Sequence, residues 1–163
     1  MYRQGDSSAT AAERSAIRKV RVRIIPFIFV LYIVAFLDRT NISLAALTMN
    51  EELGITPGQY GLLSGLFFLG YFLLEVPSNL ALHRVGARAW IARILVSWGA
   101  VAMIGGLVQG VGQLYAVRFL LGVAEAGFAP GMLLYLTYWF PRREQAKAVG
   151  LYLAAIPVAG LLG

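Results

Sequence analysis

Four ionisable side chains lie within stretches that are otherwise long and apolar. Asp38 and Arg39 follow the nearly unbroken apolar run 24–37, and Arg118 and Glu125 lie in a later apolar stretch. Arginine stays charged and can hold a carboxylate with two parallel hydrogen bonds. A carboxyl group in surroundings of low dielectric constant can take up and release a proton near neutral pH. Two permanent cations and two protonatable acids therefore indicate proton-coupled uptake of an organic anion.

These charges are costly to place in a membrane. Insertion costs about 2.5–3.5 kcal/mol for each Asp or Arg at the centre of a helix, whereas each Leu, Ile, Phe or Val returns only about 0.3–0.6 kcal/mol. Asp38 and Arg39 together would cancel most of the gain from their own span. Such residues normally line a cavity and are candidates for a functional site. Two structural salt bridges between helices are the alternative interpretation.

The elements that must position these residues are predicted to be membrane-spanning helices. The chain has 163 residues, of which 59% are hydrophobic and 13% are charged, about half the charged share of soluble domains. A helix needs about 20 residues to cross the hydrocarbon core, and uniformly apolar runs of this length exclude barrel strands. We therefore predict an all-α polytopic membrane protein whose five apolar stretches cover residues 24–49, 60–82, 90–108, 114–140 and 146–163.

The basic residues predict how the chain crosses the membrane. Of the 14 Lys and Arg residues, all except Arg39 and Arg118 lie in the N-terminal segment 1–23 or around the second and fourth connections. Cytoplasmic loops carry such an excess, so the N-terminus is predicted to be cytoplasmic. Segment 1–23 is polar and no cleavage site follows the apolar run, so it is not a signal peptide. Basic residues placed between apolar spans also exclude a nucleic-acid partner.

The estimated depths in the membrane are similar for the charged residues of the first and fourth spans. With a rise of about 1.5 Å per residue, Arg39 lies roughly 22 Å from the inner edge of its span and Arg118 about 6 Å below the outer end of its own. Glu125 falls near the midplane, two turns after Arg118 and on nearly the same face. If the first and fourth spans flank a common cavity, Asp38 completes a quartet whose formal charges sum to zero.

Metal and enzyme chemistry are not expected. The chain has no cysteine and one histidine, His83. These exclude disulfides, thiol nucleophiles and most zinc or haem sites. No nucleophile and base are found that would support an intramembrane enzyme, so neither an enzyme nor a metal or cofactor is predicted.

Weaker features concern packing and the ligand. Tyr71, in the middle of the second span, could donate a hydrogen bond to a ligand or could simply pack. Gly61–Gly65 and Gly127–Gly131 are spaced as GxxxG, which allows close contact between apolar helices. Pro130 and Pro157 predict bends in their helices.

Several longer stretches resemble a known family. FLDRTNISLAAL, LFFLGYFLLEVPSNLALHRVGAR, RFLLGVAEAGFAPGMLLYLTYWFP and AAIPVAGLLG are similar in order and spacing to the anion:cation symporters of the major facilitator superfamily. The resemblance runs from Arg18 to Gly163. It implies twelve helices in two six-helix halves, with a substrate site between the halves near mid-membrane and alternating access by their rocking. It also implies the transport of carboxylated compounds such as tartrate, sugar acids, phthalate or hydroxyphenylacetate, with protons, in a bacterial inner membrane.

The same resemblance implies roles for individual residues. The acids matching Asp38 and Glu125 would serve proton coupling, and the arginines matching Arg39 and Arg118 would bind the anion. The tyrosine matching Tyr71 would lie at the substrate site.

The chain departs from the family in two places. The cytoplasmic gate motif of the family corresponds here to Asn79, His83, Arg84, Gly86 and Arg88. His83 stands where the family has an acidic residue, which weakens the ion pairing that the motif provides. The fifth stretch lacks the GPxxGG pattern of drug antiporters, which favours symport. An organic-phosphate or anion exchanger is the alternative, because paired arginines also suit phosphate.

The chain is also much shorter than members of this family and ends within the fifth stretch. We therefore expect an incomplete N-terminal six-helix half that needs the lipid bilayer and a C-terminal half, and that does not transport alone. The alternative is a truncated, non-functional membrane product.

Overall fold

All regular structure in the described part of the chain is helical. The computed structural model describes the backbone of residues 11–162 and the side chains of residues 15–40 and 54–161. Every regular element in these residues is an α-helix, which confirms the predicted all-helical class. In chain order the helices are α1 (Ala11–Leu53), α2 (Pro57–Val85), α3 (Ala87–Gly105), α4 (Val111–Glu125), α5 (Phe128–Trp139), α6 (Arg142–Leu153) and α7 (Ala155–Leu162).

Four segments of the described residues are long and apolar enough to cross a membrane: Ser15–Thr40, Pro57–Val85, Ala87–Gly105 and Val111–Trp139. Their order matches the first four predicted stretches, but their ends differ. Helix α1 begins at Ala11, so it includes much of the basic segment that we predicted to precede the first span. The fourth span consists of α4 and α5 with a break between them, and the fifth stretch is divided into α6 and α7.

The connections are short because the helix ends supply their own hydrogen bonds. At the start of α2 the Thr56 side chain accepts from the Gln59 backbone N–H, and the Gln59 side chain accepts from the Thr56 N–H, which together form a capping box. Pro57 follows as the first helical residue, where its missing N–H costs nothing. Between α2 and α3 there is only Gly86, at φ +95°, whose N–H donates to the Leu82 carbonyl oxygen at 2.9 Å.

The chain divides into two compact units. The first contains residues up to Arg39 together with residues from Leu136 onward. Within it, the Arg21 guanidinium pairs with the Glu144 carboxylate, so α1 at the level of Arg21 lies beside the first turn of α6. Further along, the ring of Tyr32 meets that of buried Tyr152 edge to face, with centroids 4.9 Å apart. An ion pair and an aromatic contact therefore both connect α1 with α6.

The second unit, Thr40–Tyr135, contains the packed pairs of the predicted transmembrane spans. Helix α4 is its centre and packs against both α2 and α3. At one end Leu63 is fully buried against Ile55 and Leu114. The predicted Gly127–Gly131 pair does lie close to α2, whereas a Cβ on Gly61 or Gly65 would meet no atom of the described residues within 4 Å.

Candidate functional site

Arg118 and Glu125 both belong to α4, which runs without interruption from Val111 to Glu125. Seven residues turn an α-helix through about 700°, so the two side chains leave α4 within about 20° of the same direction. Arg118 is half-buried, and Glu125 is fully buried at the last position of the helix. One face of α4 thus presents a permanent cation and an enclosed carboxyl group two turns apart.

Two glycines bring α2 and α4 into backbone contact at this level. A Cβ atom on Gly122 would overlap the Phe67 carbonyl oxygen and would lie 3.0 Å from the Tyr71 nitrogen. A Cβ atom on Gly70 would likewise overlap the Phe119 carbonyl oxygen. Only residues without side chains allow helices to approach so closely. The α2–α4 crossing is therefore fixed by glycine rather than by interdigitated side chains.

This crossing places Tyr71 beside the charged face of α4. The Tyr71 nitrogen lies against Gly122, which is four residues after Arg118 and three before Glu125. The half-buried Tyr71 ring packs near Phe67, with ring centroids 6.2 Å apart. Three of the five residues predicted for substrate and proton thus lie on one packed helix pair.

The other two predicted residues, Asp38 and Arg39, are half-buried in α1. They belong to the first unit, whereas Arg118, Glu125 and Tyr71 belong to the second. As neighbours on a helix they leave α1 about 100° apart, so they cannot pair with each other face to face. The four-charge cavity stays a prediction.

A break in the fourth span follows Glu125 directly. Ala126 is extended (φ −54°, ψ 129°) and Gly127 has a positive φ of +83°, after which α5 begins at Phe128. The Ser78 hydroxyl donates a 2.7 Å hydrogen bond to the Ala126 carbonyl oxygen, and it accepts one of 3.0 Å from the Trp90 indole N–H. Pro130 predicted a bend, and the break lies three to four residues before it.

The roles of Ser78 and Trp90 were not predicted from the sequence. A signal for the first was present, because a proline leaves the carbonyl of the residue four positions earlier without its helical donor. That rule points to Ala126 as a carbonyl in need of a partner. It does not say which helix supplies the donor.

The predicted gate-motif residues surround the junction of α2 and α3. His83 and Arg84 lie in the exposed last turn of α2, Gly86 connects the helices, and Arg88 lies in the first turn of α3. Asn79 is half-buried one turn earlier and donates from its amide to the Glu75 carbonyl oxygen at 2.9 Å. The motif thus forms a tight, basic turn, and its gating role stays a prediction.

Comparison with known proteins gives a consistent family. The model of the Major Facilitator Superfamily matches residues 28–163. A protein of Agrobacterium vitis named "Putative tartrate transporter" is 56% identical over 151 residues, which are 93% of this chain and 35% of that protein. A quinolone resistance transporter of Acinetobacter baumannii is 47% identical over 150 residues, which are 92% of this chain and 35% of that protein.

A solved structure has the same fold over most of the chain. A bacterial homolog of the human lysosomal transporter Spinster, in an inward-facing and unoccupied conformation, superposes with a TM-score of 0.80 and 26% identity. The match covers 87% of this chain and 30% of the other. The chain thus spans about a third of the length of the proteins that it matches.

Proposed function

Since this chain belongs to the Major Facilitator Superfamily, we propose that it forms the first part of a secondary transporter that moves an organic carboxylate across a bacterial inner membrane together with protons. Arg118 and Arg39 bind the carboxylate, and Tyr71 donates a hydrogen bond to the substrate. Glu125 and Asp38 take up and release the coupled proton. The longer protein that would contain these residues is called the complete transporter below.

The arrangement on the α2–α4 pair is the observation that supports this proposal most. Glu125 is fully buried two turns from Arg118 on the same face of α4, and Tyr71 lies beside the helix between them. A guanidinium remains charged at any physiological pH, whereas a buried carboxyl can exist in either protonation state. A site of this kind binds an anion more strongly when its own carboxyl groups are protonated, because their repulsion of the anion is removed.

The ion pair of the first unit supports the proposed orientation. Arg21 lies in the basic N-terminal segment and Glu144 in the first turn of α6, and the two side chains pair directly. The basic N-terminal segment and the start of α6 must then lie on the same side of the membrane, together with the basic residues around them. By the positive-inside rule that side is the cytoplasm.

In this proposal the rest of the complete transporter forms the other side of the substrate site. The chain spans about a third of the length of its relatives, so a C-terminal half would supply the opposite wall of the substrate site. Alternating access then follows from the rocking of two halves around that site. Residues 1–163 alone are not expected to transport.

The test is uptake by the complete transporter in proteoliposomes with an imposed proton gradient and a panel of carboxylates that includes tartrate and sugar acids. Arg118→Ala and Arg39→Ala should each lower uptake at least tenfold, because a charged hydrogen bond contributes about 1.5–3 kcal/mol. Arg118→Lys should restore only part of the rate, because it keeps the charge but loses the two-pronged geometry. Arg142→Ala, which removes an exposed cation at the start of α6, is the matched control. Wild-type uptake in both alanine variants of the site would contradict the assignment.

Proton coupling requires its own measurement. Glu125→Gln removes the exchangeable proton but keeps the size of the side chain. Uptake driven by the proton gradient should be lost, whereas exchange of labelled for unlabelled substrate (counterflow) should continue. Counterflow of phosphate esters without gradient-driven accumulation by the wild type would instead identify an organic-phosphate exchanger.

Drug export is a second candidate, favoured by the 47% identity with the quinolone resistance transporter. Proton-driven accumulation of a quinolone in everted membrane vesicles would support it. Under symport of an organic acid, the same vesicles would not accumulate the drug.

A further inference from the structure

The break after Glu125 is the feature with the most unusual chemistry outside the proposed substrate contacts. Pro130 has no N–H, and in a continuous helix its ring would collide with the carbonyl of the residue four positions earlier, which is Ala126. Ala126 is fully buried, and its extended conformation turns the chain out of α4. Its carbonyl oxygen therefore needs a donor from elsewhere, because an unsatisfied buried carbonyl is costly, and more so in a membrane.

Ser78 supplies that donor from α2, and Trp90 supports it from α3. The hydroxyl hydrogen of Ser78 goes to the Ala126 carbonyl at 2.7 Å, and its oxygen accepts from the Trp90 indole at 3.0 Å. The indole N–H can only donate and the carbonyl oxygen can only accept, and the serine hydroxyl between them does both. The guanidinium carbon of Arg93 lies over a Trp90 ring, 4.7 Å from its centre, and this cation–π contact also holds the indole.

The break is shaped to receive this side chain. A Cβ atom on Gly127 would overlap the Ser78 hydroxyl oxygen and would lie 2.8 Å from the Ser78 Cβ. The positive φ of Gly127 independently favours glycine. Ser78 therefore fills the space that the missing side chain of Gly127 leaves, so the serine and the break are complementary in shape as well as in hydrogen bonding.

From this geometry we infer that Ser78 and Trp90 are positioning residues for Glu125. Glu125 directly precedes Ala126 and is the last residue of α4. A fixed Ala126 carbonyl fixes the peptide plane between Ala126 and Gly127, one residue beyond Glu125, and so anchors the end of the helix from which the carboxyl group projects. Ser78 and Trp90 contact neither the proton nor the substrate. They keep the Glu125 carboxyl group in one position by stabilising the break between α4 and α5.

The positioning itself follows from the contacts of Ser78, Trp90 and Ala126, whereas its consequence for transport rests on the proposed coupling role of Glu125. Two readouts separate these levels. The first reports the exposure of position 125 and needs no transport. The second compares gradient-driven uptake with counterflow. A merely structural defect would lower both rates to the same extent.

The first readout uses the absence of cysteine from residues 1–163. Glu125→Cys is introduced into the complete transporter, with any cysteine of the remaining segment replaced, and its reaction with a small water-soluble thiol reagent is followed. In the intact protein the position is buried, so the reaction should be slow. Adding Ser78→Ala or Trp90→Phe should speed it at least about tenfold, because the end of α4 loses its anchor.

Ser97→Ala is the matched control. It removes a hydroxyl group of the same kind from α3, in the same unit, but the Ser97 hydroxyl donates to the Ile94 carbonyl of its own helix, at 3.1 Å. The thiol rate should then change less than about twofold. Should Ser78→Ala fail to accumulate in the membrane, Trp90→Phe still decides the question, because it keeps the serine but removes the indole N–H that holds the Ser78 hydroxyl toward Ala126. Unchanged thiol rates in the Ser78 and Trp90 variants would overturn the inference, whatever the transporter moves.

The second readout tests the consequence for coupling. Ser78→Ala and Trp90→Phe should lower gradient-driven uptake about tenfold while counterflow falls less than about twofold. Ser78→Ala combined with Glu125→Gln should be no worse than Glu125→Gln alone, because residues that act through one group are not additive. Equal losses of uptake and counterflow, or additive losses in the double variant, would overturn the positioning role. Wild-type coupling in Glu125→Gln alone would instead refute the proposed function, and the thiol rates would still decide the positioning.

Discussion

Gly122→Ala should destabilise the protein although alanine is the better helix former. The glycine lies within the last turn of α4, and inside a helix alanine is normally favoured over glycine by about 0.8–1 kcal/mol. Here the added Cβ would overlap the Phe67 carbonyl oxygen and would lie 2.9 Å from its carbonyl carbon. Both atoms belong to the backbone of α2, so no side-chain rotation can relieve the overlap. The two helices must separate at their closest crossing.

The expected loss of unfolding free energy in Gly122→Ala is the difference between the cost of overpacking and the helix preference of alanine. Overpacking costs about 1–3 kcal/mol when side chains can shift, and a rigid backbone obstacle places Gly122→Ala at the upper end of that range. After subtraction of the helix preference, the net loss of unfolding free energy is about 2 kcal/mol. Gly99→Ala provides the opposite sign, because Gly99 lies exposed inside α3 and a Cβ there meets no described atom within 4 Å. It should be neutral or should stabilise by up to about 1 kcal/mol.

The measurement is the unfolding free energy of the purified complete transporter in mixed micelles, titrated with a denaturing detergent and followed by circular dichroism. The two alanine variants should shift the midpoint in opposite directions, or Gly122→Ala alone should lower it. If Gly122→Ala were as stable as Gly99→Ala, α2 and α4 would not be in backbone contact at this level. The placement of Tyr71 beside Arg118 and Glu125 would then be wrong as well.

Three further predictions concern other contacts. Gly127→Ala combines an unfavourable positive φ with overlap onto Ser78, so folded protein in membrane extracts should fall severely; normal levels would show that the break can close. The Arg21–Glu144 pair is about one-third exposed, so a double-mutant cycle of thermal stability should give a coupling of only about 0–1 kcal/mol that weakens with salt; a larger, salt-independent value would contradict this. Leu63→Ala empties a fully buried position and should cost about 2–5 kcal/mol in the detergent titration; a loss below 1 kcal/mol would mean that this cluster is loosely packed.

The sequence was sufficient for the features that depend on one helix alone. Apolar length predicted the helical class, and a spacing of seven residues placed Arg118 and Glu125 on one face of α4. The helix ends were less accurate. Segment 1–23 was predicted to be a basic cytoplasmic segment that precedes the first span, and α1 begins within it, at Ala11. Charge disfavours burial in lipid, but it does not prevent a helix from continuing into water.

Features that depend on two helices were predicted less well. Gly61–Gly65 and Gly127–Gly131 have the same spacing, but only the second pair lies against a neighbouring helix among the described residues. The closest contacts with the backbone of another helix come from Gly70 and Gly122, which are not part of a GxxxG pair. A spacing rule describes one helix surface, whereas close contact requires a second surface at the same level. That second surface is set by the tertiary fold.

Apolarity itself gives little information on which face of these helices is packed. Phe72, Val76 and Leu80 form a stripe along α2 and are each more than half exposed, although they are as apolar as the buried Leu63 and Phe67 on the other side. In a soluble protein a contiguous exposed apolar stripe would mark an interaction surface. In a bilayer such a stripe can face lipid at no cost, so burial of apolar area cannot select one face over the other. What distinguishes the packed face is its small residues, Gly70 and Ser78, because only there can backbones meet or a hydroxyl reach a neighbouring carbonyl. The small residues, and not the most hydrophobic ones, therefore determine where Glu125 and Arg118 stand.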